Sequence, residues 1–510
     1  MALIILGLDA MNQRLITKCK EQMPTLYKHL EEDTQGYLRT TIPYFTGSTW
    51  TSLQTGKKPA NHGIINFFKY DKNLNLKLST GDDIKEKSFY ELVDENNLKC
   101  FVMNLPYTHP PRIKGDIIYS WLYIYDKIED LFCPSSLIDK YPSLRNYQSR
   151  ADRSKSVITY LNSSYDILVS QEKAIKEILS AKEHDVYFLL LNSADMIQHK
   201  VFGELMKEKK NKRTKISHKV LSRLDKLVQW IDNSKDEETN ILIMSDHGFQ
   251  VYEGRFLVNS WLKNNGYLKL SEDGKEVSDL INIRNTKKRK TVNISKLIIF
   301  VKRYPRLFRL CEPFYDFVIN HLPYDIIKQP KIDFEKTQAF CRSSFEWIIF
   351  INEKIIGEER IKLKKEIIAG LSKVDGIDPI DCDDYYAGKY RSEMGDVLVT
   401  STKYEIDSTI GDKEFLYIER NMHSMDGIFM AYGPQIKKNY ELKGANIWDV
   451  APTILHMLNL PVPKDMDGKV LKDIYEEGSE IAEREIQYSE IDHTEEEKDL
   501  INQAIKNIKL

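Results

Sequence analysis

Five short apolar runs, each stopped by a polar residue or a turn, restrict this chain more than any other feature. Leu3–Leu8 ends at Asp9, residues 100–103 at Asn104, Val186–Leu191 at Asn192, and 241–244 at Ser245-Asp246. A fifth run, 427–432, meets Gly433-Pro434. Continuous apolar runs of this length suit strands buried on both faces. Before the fourth run, Val220, Leu221, Leu224, Leu227, Val228 and Ile231 recur at helical spacing. Strand and helix alternating in this way predict an α/β fold with a mostly parallel sheet sandwiched by helices. Ligands of such sheets gather at the carboxyl ends of the strands, which is where these acids fall.

The rhythm breaks between about Gln250 and Ser401. Ten basic residues and no acid lie between Arg284 and Leu310, and residues 340–399 carry their own strand and helix patterns, at 347–351 and 361–371. The expected division is a discontinuous catalytic domain of residues 1–250 and 401–475, an inserted α+β cap of 251–400, and an acidic, peripheral tail of 476–510. In that tail Thr494-Glu495-Glu496-Glu497 reads as a capping box before a short helix. At 510 residues the chain is too long for one compact core, which agrees with an inserted unit.

Composition excludes several classes. With 42% hydrophobic and 29% charged residues, the chain is neither disordered, collagenous nor a coiled coil. Its net charge of −2 argues against a globally basic nucleic-acid binder, and no specific nucleic acid is expected as a partner. The apolar runs are too short for membrane spans, and Met1 to Asp9 lacks the charged start of a signal peptide. Six scattered cysteines without a C-x-x-C pair suggest reduced thiols and a cytoplasmic location.

The strongest local signal is Ser245-Asp246-His247-Gly248, an acid and an imidazole at a strand end with a glycine that lets backbone approach. In Asp195-Met196-Ile197-Gln198-His199 the first and last residues share a face if the segment is helical. Asp9 ends the first strand, and His423 precedes the run 427–432. Each alone is ordinary turn chemistry. Together, three imidazoles and three carboxylates suit two divalent cations, zinc first and manganese second.

The segment from Pro43 through Thr46-Gly47 and Thr55-Gly56 to His62-Gly63-Ile64 resembles the alkaline-phosphatase superfamily, in its type I phosphodiesterase/nucleotide pyrophosphatase branch and nearest its prokaryotic members. The resemblance extends through Gly7-Leu8-Asp9-Ala10, Asp195 with His199, Asp246-His247-Gly248-Phe249, His423, residues 447–455 and Met466-Asp467-Gly468, in family order. It implies an alkaline-phosphatase-like fold and two metal sites. Asp9, Thr46, Asp246 and His247 would hold one ion, and Asp195, His199 and His423 the other. Thr46 would be the nucleophile, forming a phosphothreonine that water then releases, with net retention at phosphorus. His62 would support the nucleophile helix.

Two departures stand out. Gly47 occupies the place of the aromatic that follows the nucleophile in nucleotide pyrophosphatases. Asn66, the candidate donor to a phosphate oxygen, falls one residue early. The resemblance implies a small phosphate ester or nucleotide-like substrate. The absence of arginine from Tyr44 to Trp50 favours a monoanionic diester over a dianionic monoester, unless Arg342 or Arg391 of the cap supplies the charge. The alternatives are a phosphomonoesterase or phosphotransferase of the same superfamily, or a protein that binds an anionic membrane, a lipid-linked substrate or another polyanion through 284–310. Pro305 interrupts that stretch and favours an ordinary cap helix.

Overall fold

The computed structural model describes residues 2–70, 76–151, 156–271 and 332–490. The basic stretch 284–310 and the segment 494–497 lie outside them. Among the described residues no helix is long and apolar enough to cross a membrane.

Every apolar run is a strand of one nine-stranded sheet. Its members in chain order are β1 (Leu3–Leu8), β2 (Thr34–Arg39), β3 (Cys100–Met103), β4 (Asp116–Ile118), β5 (Phe132–Cys133), β6 (Val186–Leu191), β7 (Asn240–Met244), β8 (Asp426–Tyr432) and β9 (Tyr440–Asn446). Their spatial order is β9-β2-β8-β7-β1-β6-β3-β4-β5. Only β8 and β5 run against the rest, so the sheet is mostly parallel, as the unbroken apolar runs predict. β1 and β6 are buried at every position. The fifth run had no marker for its direction; as β8 it lies antiparallel between β2 and β7.

Helices flank the sheet: α1 (Thr46–Thr55), α2 (Val157–Ala181), α3 (Ser193–Met206), α4 (Lys212–Ser234) and α5 (Val450–Met457). The apolar stripe read in the sequence is the buried face of α4. α2, α3 and α4 pack on one another, as do α1 and α5.

A four-stranded antiparallel sheet, in the order Ala339–Cys341, Ile348–Ile351, Val397–Thr400 and Asp378–Asp381, holds a second apolar core with the helix Gly357–Leu371. That core also takes in Ile42, Tyr44 and Phe45, the residues leading to Thr46. Tyr386 donates to the Ile42 carbonyl at 2.6 Å, and the Ile42 N–H donates to the Tyr385 hydroxyl at 3.2 Å. The tyrosine pair thus holds the segment that leads into α1. The tail is also less peripheral than its acidic composition suggests. Ile481 is fully buried in the main core, and Tyr488–Ser489 pairs in parallel with Val462–Pro463.

Candidate active site

The strand ends bring the acids together. Asp9 follows β1 and Asp246-His247 follow β7, while Asp195 lies in the first turn of α3, after β6. His199 is one turn further along α3, so the two share a face; His199 Nε2 is 3.2 Å from Asp195 Oδ1. His423 arrives by a different route. It lies in the strand Arg420–Ser424, which pairs antiparallel with Gly248–Tyr252 so that His423 opposes Phe249. This ribbon stacks the His423 and His247 rings with centroids 3.7 Å apart. The ribbon needs Gly248, because a Cβ there would sit 2.2 Å from the Asp426 carbonyl oxygen.

Two groups of potential ligand atoms result, Asp195 with His199 and His423, and Asp9 with Asp195 and His247; within each, the atoms lie within 4.8 Å of one another. Asp195 belongs to both. His423 donates from Nδ1 to the Tyr44 carbonyl at 3.2 Å, and His247 from Nδ1 to the Gly248 carbonyl at 3.1 Å. In its neutral form each ring therefore presents the lone pair of Nε2 to the cluster. Around His247 Nε2 stand Asp246 Oδ2 at 3.2 Å, Asp9 Oδ1 at 3.8 Å and Thr46 Oγ1 at 3.4 Å.

Burial dominates the electrostatics. It holds Asp9 well above the usual carboxylate range, helped by the charges of Asp246 and Asp195, and it pushes Asp246 up to about 7. It also holds the His247 imidazole well below its usual range, which keeps the ring neutral. Burial would raise Asp195 too, but the imidazoles of His199 and His423 outweigh it and hold that carboxyl well down.

Thr46 is the first residue of α1 and is buried. The residue before it, Phe45, provides no side-chain cap, so first-turn N–H groups are left for another acceptor. Thr49 Oγ1, one turn on, lies 3.3 Å from Asp246 Oδ2 and shares its proton with the Phe45 carbonyl at 3.0 Å, while the N–H of Ala10 donates to Asp246 Oδ1 at 3.2 Å. Ala10 does so from a left-handed conformation (φ +61°), uncommon for a residue with a Cβ. Ser52 bonds to His62 at 2.8 Å. Since His62 Nδ1 accepts the Ile64 N–H at 3.1 Å, its Nε2 carries the proton and donates to Ser52. Burial lowers the His62 pKa to about 3, and the ring braces α1 as a neutral group.

Asn66 is buried beyond the end of this brace, but its amide nitrogen donates to Glu346 at 3.0 Å, and its carbonyl accepts the Phe68 N–H. Arg342 pairs with that same Glu346, and Arg391 pairs with Asp383 at 2.6 Å. Both cap arginines are therefore paired with carboxylates. Lys57, the next cation in sequence, is held between Glu86 and Asp465.

The buried Oδ1 atom of Asp9 accepts no hydrogen bond, and Asp195 Oδ1 meets only the two imidazole nitrogens, at 3.2 and 3.3 Å. Buried carboxylate oxygens of this kind need a cation or a donor. With the imidazole nitrogens of His199, His247 and His423 beside these carboxylates, the donor set fits divalent ions of intermediate softness. Sequence reasoning missed Thr49, Ala10 and Tyr44. Only Thr49 carried a signal, its place one helical turn after Thr46.

The chain matches the family described as type I phosphodiesterase/nucleotide pyrophosphatase over residues 3–303. A search of curated proteins finds no match. Among solved structures, human ectonucleotide pyrophosphatase/phosphodiesterase 5 is similar at 14% identity and a TM-score of 0.53, covering 93% of this chain and 100% of its own. The murine protein gives 13% identity and a TM-score of 0.50, covering 90% and 95%. An inactive murine variant in complex with AMP gives 13% and 0.51, covering 93% and 100%. With the fold shared along nearly its whole length and the family matched over more than half of it, the chain belongs to the type I phosphodiesterase/nucleotide pyrophosphatase family of hydrolases, within the alkaline-phosphatase superfamily.

Proposed function

We propose that the protein is a divalent-metal-dependent phosphodiesterase of nucleotide-pyrophosphatase type, with Thr46 as its nucleophile. The observation that carries this reading is the position of Thr46 Oγ1. It stands at the start of a buried helix, 3.4 Å from His247 Nε2 and beside a cluster of carboxylates and imidazoles. Asp9, Thr46, Asp246 and His247 would hold one ion and Asp195, His199 and His423 the other, with zinc preferred and manganese second. When bound, two such ions lower the pKa of a ligating hydroxyl and neutralise charge on the attacking and leaving oxygens.

The chain's own residues do the rest. Thr46 gives up its hydroxyl proton to solvent, and Oγ1 attacks phosphorus. The bond to the leaving oxygen breaks with its electron pair on that oxygen, which takes a proton from water, and a phosphothreonine forms. The uncapped first turn of α1 offers N–H groups and the positive end of its dipole to the non-bridging oxygens. Thr49 and Ala10 fix Asp246, while the His62–Ser52 bond fixes the helix. Water then displaces Thr46 from phosphorus, and two displacements leave its configuration retained.

A diester is the preferred substrate class. A monoester dianion asks for an additional cation, and Arg342, Arg391 and Lys57 are paired elsewhere. The AMP held by the murine relative makes nucleotide-like diesters and pyrophosphates the first compounds to try. The test compares kcat/KM for bis(p-nitrophenyl) phosphate, p-nitrophenyl phosphate and a nucleoside triphosphate at equal zinc or manganese loading. Preference for the diester or pyrophosphate supports the reading. A clear monoester preference replaces it with a phosphomonoesterase.

A further inference from the structure

Gly47 is the residue after the nucleophile, and the space beside it is taken. A Cβ built there would meet the Tyr107 hydroxyl oxygen at 2.3 Å, Tyr107 Cζ at 3.2 Å and Phe67 Cδ1 at 3.3 Å. No side chain fits at residue 47 unless the phenol moves. Tyr107, four residues after β3, thus packs its hydroxyl against the first turn of α1.

Its ring is fixed and its hydroxyl is not. The buried ring packs with Ile64 and Ile84, while the hydroxyl has one long bond, 3.4 Å, to the Asn66 carbonyl. At that length the interaction is weak, and the O–H can re-aim at a better acceptor. The backbone adds a second sign. Tyr107 has φ +62°, a conformation that bulky residues rarely adopt and that surrounding structure must impose. The donor expected from Asn66 is also spent, because its amide nitrogen is bound to Glu346 at 3.0 Å.

We propose that Tyr107 is a substrate-binding residue whose hydroxyl donates to a non-bridging oxygen of the phosphoryl group on Thr46. This rests on the reading of Thr46 as nucleophile. Tyr107 gives no proton away and forms no covalent bond; it only hydrogen-bonds. Burial pushes its phenol well up, so it stays a donor throughout the working pH range. A neutral donor adds no positive charge, which suits a monoanionic diester better than a dianion.

The test uses the metal-loaded enzyme with bis(p-nitrophenyl) phosphate as substrate and orthovanadate as a mimic of five-coordinate phosphorus. Tyr107→Phe keeps the ring and removes the donor. We expect kcat to fall by about 10²-fold, the loss typical of one missing donor to a developing oxyanion, with little change in KM or Tm. Vanadate inhibition should weaken in step, which a purely steric role for the ring would not produce. Gly47→Ala should lower activity by displacing the same hydroxyl, and Gly47→Ala with Tyr107→Phe should be no worse than Tyr107→Phe alone. Unchanged kcat and vanadate inhibition in Tyr107→Phe overturn the proposal, as do additive losses in the double variant. Thr46→Ala, assayed alongside, tests the underlying reading: if it is inactive while Tyr107→Phe is fully active, only the Tyr107 proposal fails.

Discussion

His423 Nε2 and His199 Nε2 face each other at 3.1 Å, and His423 has already committed its Nδ1 proton to the Tyr44 carbonyl. Asp195 Oδ1 lies 3.3 Å from the first of these nitrogens and 3.2 Å from the second. Two imidazole nitrogens and one carboxylate oxygen thus converge on one point. A cation ligated by all three, as in the proposed metal site, would hold them together there.

Metal should therefore stabilise the fold as well as enable turnover. Chelation is expected to lower Tm, and zinc or manganese to restore it. An ion present at 100 times its Kd contributes about 2.7 kcal/mol per site. His423→Ala should lower the tightly bound metal towards one ion per chain, measured by elemental analysis, and Asp246→Asn should affect the other ion. Two tightly held ions in both variants would refute the ligand assignment.

The proposed role of Thr46 makes its hydroxyl matter for chemistry more than for structure. Thr46→Ala should lower kcat by about 10³-fold or more while leaving Tm and most bound metal in place, since the carboxylates and imidazoles remain. Thr46→Ser keeps a hydroxyl and should retain part of the activity. Steady-state rates at saturating metal decide the matter.

The parts of this site that were legible in the sequence are those governed by local periodicity. Asp9 and Asp246 stand where apolar runs stop, and Asp195 and His199 are one helical turn apart. The Thr46 motif was legible through a family pattern. His423 was visible only as a lone histidine, because its place depends on the pairing of Arg420–Ser424 with Gly248–Tyr252 across a large separation in sequence. Tyr107 was invisible for a similar reason: it follows β3 in irregular backbone, and its contact with Gly47 is entirely tertiary. The direction of β8 was also unreadable, since a fully apolar strand looks the same either way.

Gly248 gives a test of the ribbon. In Gly248→Ala the new Cβ meets the Asp426 carbonyl oxygen at 2.2 Å, so Gly248–Tyr252 must shift against its neighbours. Overpacking of this kind costs about 1–3 kcal/mol. The variant should lose Tm and bind metal more weakly, because the shift moves His247 and His423 together. Wild-type metal affinity, measured by competition with a chromogenic chelator, would contradict this.

A pH effect is expected away from the site. His29 is bonded through Nδ1 to Asp33 at 2.7 Å and through Nε2 to Asp232 at 2.9 Å, and its ring stacks on Tyr432 at 3.9 Å. Burial would lower its pKa, but Asp232 and Asp33 hold it up at about 9. A folded-state pKa raised above 6.5 contributes stability that is fully present below pH 6.5 and is lost as pH rises through 9. The Tm difference between the wild type and His29→Ala should thus be largest near pH 6 and shrink towards pH 10. The protonated pair contributes on the order of 2 kcal/mol. A gap that widens with pH would contradict the assignment.

The stereochemical course at phosphorus tests the Thr46 mechanism most directly. The measurement is hydrolysis of a phosphorothioate diester of known chirality at phosphorus in heavy-oxygen water by the metal-loaded enzyme. Attack by Thr46 followed by attack of water inverts phosphorus twice and predicts net retention. Net inversion would mean that water attacks the substrate directly, and it would contradict a phosphothreonine intermediate.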